Sequence, residues 1–134
     1  MRLHRQLVLE TDLEHMDRVV EETEQFLVPL DLDEEQAYNI VLLTTEAVTN
    51  AMEHGNGMDA DKKVHIHYEA TATHVQVTVQ DEGTGFEKSE VPDPLAKKNL
   101  LATGGRGIFL MEELADDIRY EDDGRRVIMR FRAG

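Results

Sequence analysis

The chain has 134 residues, no cysteine, and 28 acidic against 14 basic side chains, a formal charge of −14. That length predicts one domain over residues 1–134, able to bury about two-thirds of its unfolded surface without covalent staples. The charge argues against direct nucleic-acid binding and fits solubility or a basic protein partner; no apolar run approaches the ~20 residues of a membrane helix and Met1-Arg2-Leu3-His4-Arg5 lacks a signal-peptide core, so a cytoplasmic protein is expected.

Leu3, Leu7 and Leu9 alternate with polar residues from Arg2 to Glu10, interrupted by Arg5, and predict a first strand at a sheet edge. Thr11 and Glu14 have capping-box spacing for a helix whose stripe is Leu13, Met16, Val20 and Leu27 and which Pro29 stops. Asp33 and Gln36 repeat that spacing before a second helix running to about His54 and ending in Gly55-Asn56-Gly57. Its apolar stripe is Ala37, Ile40, Val41, Thr44, Ala47, Val48 and Ala51. Glu46 and Asn50 lie off that stripe, one turn apart on the same side, and Leu42 and Leu43 interrupt the polar flank. The helix is therefore expected to be covered on more than one side, leaving a carboxylate and an amide facing a cleft, although the spacing taken alone far more often describes a solvated face.

Residues 57–63 are acidic but lack the later ligands of a calcium loop and read as solvated. Val64, Ile66, Tyr68 and Ala70, then Val75, Val77 and Val79, predict two antiparallel strands with His65 and His67 on the opposite face as a surface pair. From Asp81 to Gly107 the chain is rich in Gly, Asp, Pro and Lys, either disordered or a functional lid. A short helix from about Arg106 to Ala115 should bury Ile108, Met111 and Leu114. Ile118 and Tyr120 then lead through Asp122-Asp123-Gly124 into Val127, Met129 and Phe131 as a hairpin. This order predicts an α+β, two-layer α/β sandwich with helices on one face of a mixed, mostly antiparallel sheet.

Two glycine clusters accompany the Glu46/Asn50 helix. Asp81-Glu82-Gly83-Thr84-Gly85-Phe86 follows the valine strand; its glycines admit a ligand's flat ring or phosphate where a Cβ would collide, but D-x-G-x-G by itself reads first as a turn closing a strand. Gly104-Gly105-Arg106-Gly107 opens the short helix, where unpaired backbone N–H groups suit phosphates, and is equally a hinge when taken alone. Neither G-x-x-x-x-G-K-[ST] nor G-x-G-x-x-G occurs.

Taken in order, the three clusters resemble the N, G1 and G2 boxes of the GHKL superfamily of Bergerat-fold ATPases. Glu46-Ala47-Val48-Thr49-Asn50-Ala51 with His54-Gly55-Asn56, Asp81-Glu82-Gly83-Thr84-Gly85-Phe86, and Gly104-Gly105-Arg106-Gly107-Ile108-Phe109-Leu110-Met111 are similar to the anti-sigma factor serine/threonine protein kinases of bacteria. The resemblance implies ATP with Mg²⁺, the metal bound by Asn50, Glu46 as general base, and Asp81 bonded to the adenine amine. Gly83 and Gly85 would shape the base pocket, and Gly104, Gly105, Arg106 and Gly107 would cradle phosphates under an ATP lid over about residues 85–104. Lys97 and Lys98 in the lid read as a solvated pair. It further implies an anti-anti-sigma factor as phosphoacceptor and a sigma factor as partners, and leaves open a homodimer. A nucleotide-dependent regulatory module without kinase activity is the alternative; the catalytic half of a histidine kinase fits less well, because Glu46 precedes Asn50 by four residues.

Overall fold

The structure is a computed structural model, and it describes residues 2–83 and 114–133. Five strands form one sheet in the order β1-β2-β3-β5-β4: β1 Arg2–Glu10, β2 Lys63–Thr71, β3 His74–Asp81, β4 Asp117–Glu121 and β5 Arg126–Arg132. All four pairings among the described strands are antiparallel, in keeping with the mostly antiparallel sheet expected. Two helices, α1 Met16–Leu27 and α2 Glu34–Asn50, supply the second layer. The α+β sandwich read from the sequence is the observed architecture, and β1 is an edge strand as expected.

Register follows from the period of two. Leu7, Ile66, Val79, Val127 and Tyr120 line up as one row across all five strands, and Arg5, Tyr68, Val77, Met129 and Ile118 form the next. Arg5, the break in the first strand's pattern, has a physical partner: its guanidinium reaches the Glu22 carboxylate on α1 at 3.4 Å. On the opposite, solvent-facing side the His4 and His67 rings stack with centroids 5.6 Å apart.

The α1 stripe differs from the expected one. Val19, Thr23, Phe26 and Leu27 are its buried residues, whereas Leu13 is exposed and Met16 and Val20 are only partly covered. A 3-10 turn at Leu13–His15 precedes the helix and shifts its phase. Thr23 can occupy the core because its hydroxyl donates to the Val19 carbonyl at 2.6 Å and meets the Tyr68 hydroxyl at 2.7 Å. Burial pushes the Tyr68 phenol up to about 12. The cap also differs: Asp12 accepts the Glu14 N–H at 2.9 Å, while Thr11 is buried and its hydroxyl donates to the Lys62 carbonyl at 2.6 Å.

The Asp33/Gln36 capping box of α2 is present in both directions, at 2.7 and 3.1 Å. Ile40, Leu43, Thr44, Ala47 and Val48 are buried, so Leu43 covers a second flank of the helix as its sequence suggested. Gly57 and Met58 then turn the chain through left-handed backbone at φ 60° and 59°. Leu114 is exposed rather than buried, and its neighbour Ala115 makes the contact with the core. The expected lid with Lys97 and Lys98, Gly85, Gly104, Gly105, Arg106, Gly107, and the helix positions Ile108 and Met111 all lie outside the described residues.

Candidate functional site

Asn50 is the last residue of α2, and only 7 % of it is exposed. Among the described residues its Nδ2 is a buried donor with no hydrogen-bond partner. Nearly all buried polar atoms in folded proteins are paired, and an unmade bond costs about 1–3 kcal/mol, so an orphaned amide marks a place where something else is meant to bind. Glu46, half-buried, lies one helical turn earlier.

Beyond Asn50 the helix widens into a π-helical turn, Ala51–Gly55, closed by the Asn56 N–H to the Ala51 carbonyl at 2.8 Å. Such turns concentrate at functional sites because one extra residue per turn re-aims the chain. Here the turn packs against β3 and sets Gly55 onto the Asp81 carboxylate. A Cβ on Gly55 would overlap that carboxylate, and a Cβ on Gly83 would overlap the Gly55 carbonyl oxygen. Both glycines are required by close approach, which explains why a D-x-G turn and a helix-ending glycine occur together.

Asp81 continues the inward alternation of Val75, Val77 and Val79 and pairs with Val64, so the period of two points its carboxylate to the helix side of the sheet. It is 4 % exposed. Burial raises its pKa, opposed by the Gly83 N–H donating to Oδ1 at 2.9 Å and by the charge of Arg125. The main-chain N–H of Asp81 donates to the Arg125 carbonyl at 2.9 Å, fixing the strand end to the β4–β5 connection.

Asn56 completes the assembly. At 3 % exposure it donates from Nδ2 to Thr11 Oγ1 at 2.8 Å and to the Lys63 carbonyl at 3.1 Å, and its Oδ1 accepts the Glu82 N–H at 2.8 Å. Glu82 lies at the surface, bonded through its carboxylate to His65 at 2.8 Å and to the Lys63 N–H at 2.9 Å; the His65 contact leads in lowering its pKa. The sequence marks Gly55 and Asn56 as helix-ending residues and as part of the His54-Gly55-Asn56 motif, but carries no sign of their contacts with Asp81 and Glu82.

The donor set fits a nucleotide with a hard cation. Among the described residues the Asn50 Nδ2 has no partner, and turned about its last torsion the amide offers an oxygen in that place, the ligand type Mg²⁺ takes. The Asp81 carboxylate only accepts, which suits an exocyclic amine. A groove of about 460 Å³ among Gln6, His65, His67, Thr78 and Arg126 reaches Asp81 and Glu82 at its edge, but neither Glu46 nor Asn50 lines it.

Residues 9–131 match the family described as the histidine kinase-like ATPase domain. The anti-sigma F factor of Clostridium perfringens strain 13 is 34 % identical over 110 residues, covering 78 % of this chain and 79 % of that protein. The serine-protein kinase RsbW of Listeria innocua is 31 % identical over 98 residues, 68 % of this chain and 62 % of the kinase; RsbW of Listeria monocytogenes serovar 1/2a is equally similar. The match spans the glycine-cradled carboxylate and the helix with the orphaned amide alike, and the chain belongs to the histidine kinase-like ATPase family.

Proposed function

We propose that this protein is an ATP-dependent serine/threonine kinase of an anti-anti-sigma factor that sequesters a sigma factor when that antagonist is absent. The observation carrying the reading is the buried amide of Asn50, whose nitrogen has no partner among the described residues, one turn after Glu46, on the helix whose π-helical end seats Asp81. The relatives' names supply the sigma factor and the serine kinase activity, and the motif resemblance supplies the anti-anti-sigma phosphoacceptor. Asn50 would hold Mg²⁺, which when bound offsets the charge of the triphosphate. Asp81 would accept from the adenine amine, with Gly83 and Gly85 at the base and Gly104, Gly105, Arg106 and Gly107 at the phosphates. Glu46 would take the proton of the attacking Ser or Thr hydroxyl as its oxygen bonds the γ-phosphorus and ADP leaves, a step in which positioning and electrostatics carry most of the rate. Among the described residues no helix is long and apolar enough to cross a membrane.

The deciding experiment incubates the full chain with labelled ATP, Mg²⁺ and candidate antagonists. Acid-stable label on Ser or Thr of the antagonist is the expected result. Tight Mg·ATP binding without transfer to any antagonist would leave the regulatory module instead, and transfer to histidine would reassign the chemistry.

A further inference from the structure

The Asp81–Gly83 turn is held by three consecutive N–H groups that go to three different places. The Asp81 N–H donates to the Arg125 carbonyl at 2.9 Å, that of Gly83 to Asp81 Oδ1 at 2.9 Å, and that of Glu82 to Asn56 Oδ1 at 2.8 Å. The Asp81 bond ends the strand and the Gly83 bond is internal to the turn. The only tie in this set between the turn and the π-helical end of α2 is thus a side-chain amide.

That amide has a single permitted orientation. Thr11 Oγ1 spends its proton on the Lys62 carbonyl at 2.6 Å and can therefore only accept from Asn56; the Lys63 carbonyl at 3.1 Å can also only accept. The nitrogen must face these two oxygens, and the oxygen must face the Glu82 N–H. Lys63 closes a ring: its carbonyl accepts from Asn56, and its N–H donates at 2.9 Å to the carboxylate of Glu82, whose own N–H returns to Asn56. Every polar atom of this 3 % exposed amide is used on another part of the chain.

We propose that Asn56 is a positioning residue that sets base selectivity, by anchoring the Glu82 N–H so that Gly83 stays against Gly55 and the Asp81 carboxylate keeps one direction. This rests on the reading of Asp81 as the acceptor for an adenine amine. Asn56→Ala removes the middle anchor and frees the turn to rotate, so the carboxylate no longer discriminates an amine from a carbonyl at that place.

The test is direct titration of the full chain with Mg·ATP and Mg·GTP, comparing wild type, Asn56→Ala, Thr11→Val and Val19→Ala. Val19 is fully buried in α1, so its truncation lowers stability away from the turn. Wild type should prefer ATP. Asn56→Ala should lower the ATP/GTP affinity ratio by about tenfold or more, the scale of one lost buried hydrogen bond. Thr11→Val, close in shape and expected to fold where the alanine variant does not, should lower it by a smaller factor, and Val19→Ala should leave it unchanged. An unaltered ratio in Asn56→Ala, or in Thr11→Val should the alanine variant not fold, overturns the inference while the nucleotide reading stands. An equal fall in Val19→Ala overturns it as a generic stability effect. A wild type that binds both nucleotides equally removes the role of Asp81, and the inference with it.

Discussion

The two ends of α2 are built on opposite principles. At the amino end Asp33 and Gln36 exchange bonds in both directions and satisfy the exposed backbone donors of the first turn. At the carboxyl end the last side chain, Asn50, is buried with a nitrogen that no described residue satisfies, the next turn is π-helical, and the glycine that closes it is pressed against a buried carboxylate. The first end adds stability. The second gives some up, and groups left unsatisfied or desolvated in a folded chain are where a ligand gains most by arriving. The asparagines at 50 and 56 repeat the contrast within one turn and a half: both are buried, and among the described residues one has no partner for its nitrogen and the other has all its polar atoms bonded.

The contrast breaks first at Glu46. Glu46→Ala should retain Mg·ATP affinity and lose about 10²–10⁴-fold in phosphate transfer, because a general base acts only in the transition state. Single-turnover transfer beside a binding titration reads both quantities, and transfer at the wild-type rate would return Glu46 to the status of a polar surface residue.

Asn50→Ala comes next. Saturation at ~100 times Kd should stabilise the wild type by about 2.7 kcal/mol, several degrees in Tm for a domain this size, and the variant should lose most of that shift. Without ligand its Tm should stay level or rise, since the buried amide removed has an unpaired nitrogen; Asn56→Ala should instead lower it. A clear drop in the ligand-free Tm of Asn50→Ala would show that the amide is held internally after all.

Gly55→Ala inverts an ordinary rule. Alanine in place of glycine in a helix usually gains close to 1 kcal/mol, and Gly55 has no left-handed backbone to forbid it. The added Cβ meets the Asp81 carboxylate, so a loss of about 1–3 kcal/mol in denaturant unfolding is expected, with weakened nucleotide binding. A stabilised variant would contradict the close contact.

Asp81 supplies the pH dependence. Burial raises its folded pKa above the ordinary value near 3.9, so its contribution to stability is complete below that value and is lost as the pH rises through the folded pKa. Asp81→Asn should therefore be more stable than wild type at neutral pH while losing preference for ATP. Binding through the ionised carboxylate has the opposite sign, and affinity for Mg·ATP should fall as the pH drops into the carboxylate range. Titrations across that range on both proteins check the two slopes, and a flat wild-type profile would argue against an ionised acceptor.

The smallest effect belongs to the other end of the helix. Asp33→Ala should cost on the order of 1 kcal/mol by urea unfolding and leave nucleotide affinity untouched. A change in affinity would mean that the two ends of α2 are energetically coupled.

Much of this is legible in the amino-acid sequence. Alternation in residues 64–70 and 75–79 determined which side chains enter the core, and the same period carried on to Asp81 placed its carboxylate inward. The Asp33/Gln36 box and the stripe through Ile40, Thr44, Ala47 and Val48 determined α2, and the spacing of Glu46 and Asn50 put both on one flank. These are local properties, set by the geometry of a strand or a helix acting on neighbouring residues. What the tertiary structure decided are the contacts between segments far apart in sequence. Thr11 was read as a cap because its local pattern allows one, but the Lys62 carbonyl and the Asn56 amide, 51 and 45 residues away, claim its hydroxyl. Thr23 enters the core only because Tyr68 brings a hydroxyl to it. Gly55 is required by a carboxylate 26 positions later, and Asn56 by an N–H equally distant, and neither demand leaves a trace in the residues alongside. A hydrogen bond or a steric limit between distant segments depends on where the fold brings them, and that is decided by the packing of the whole sheet against its helices.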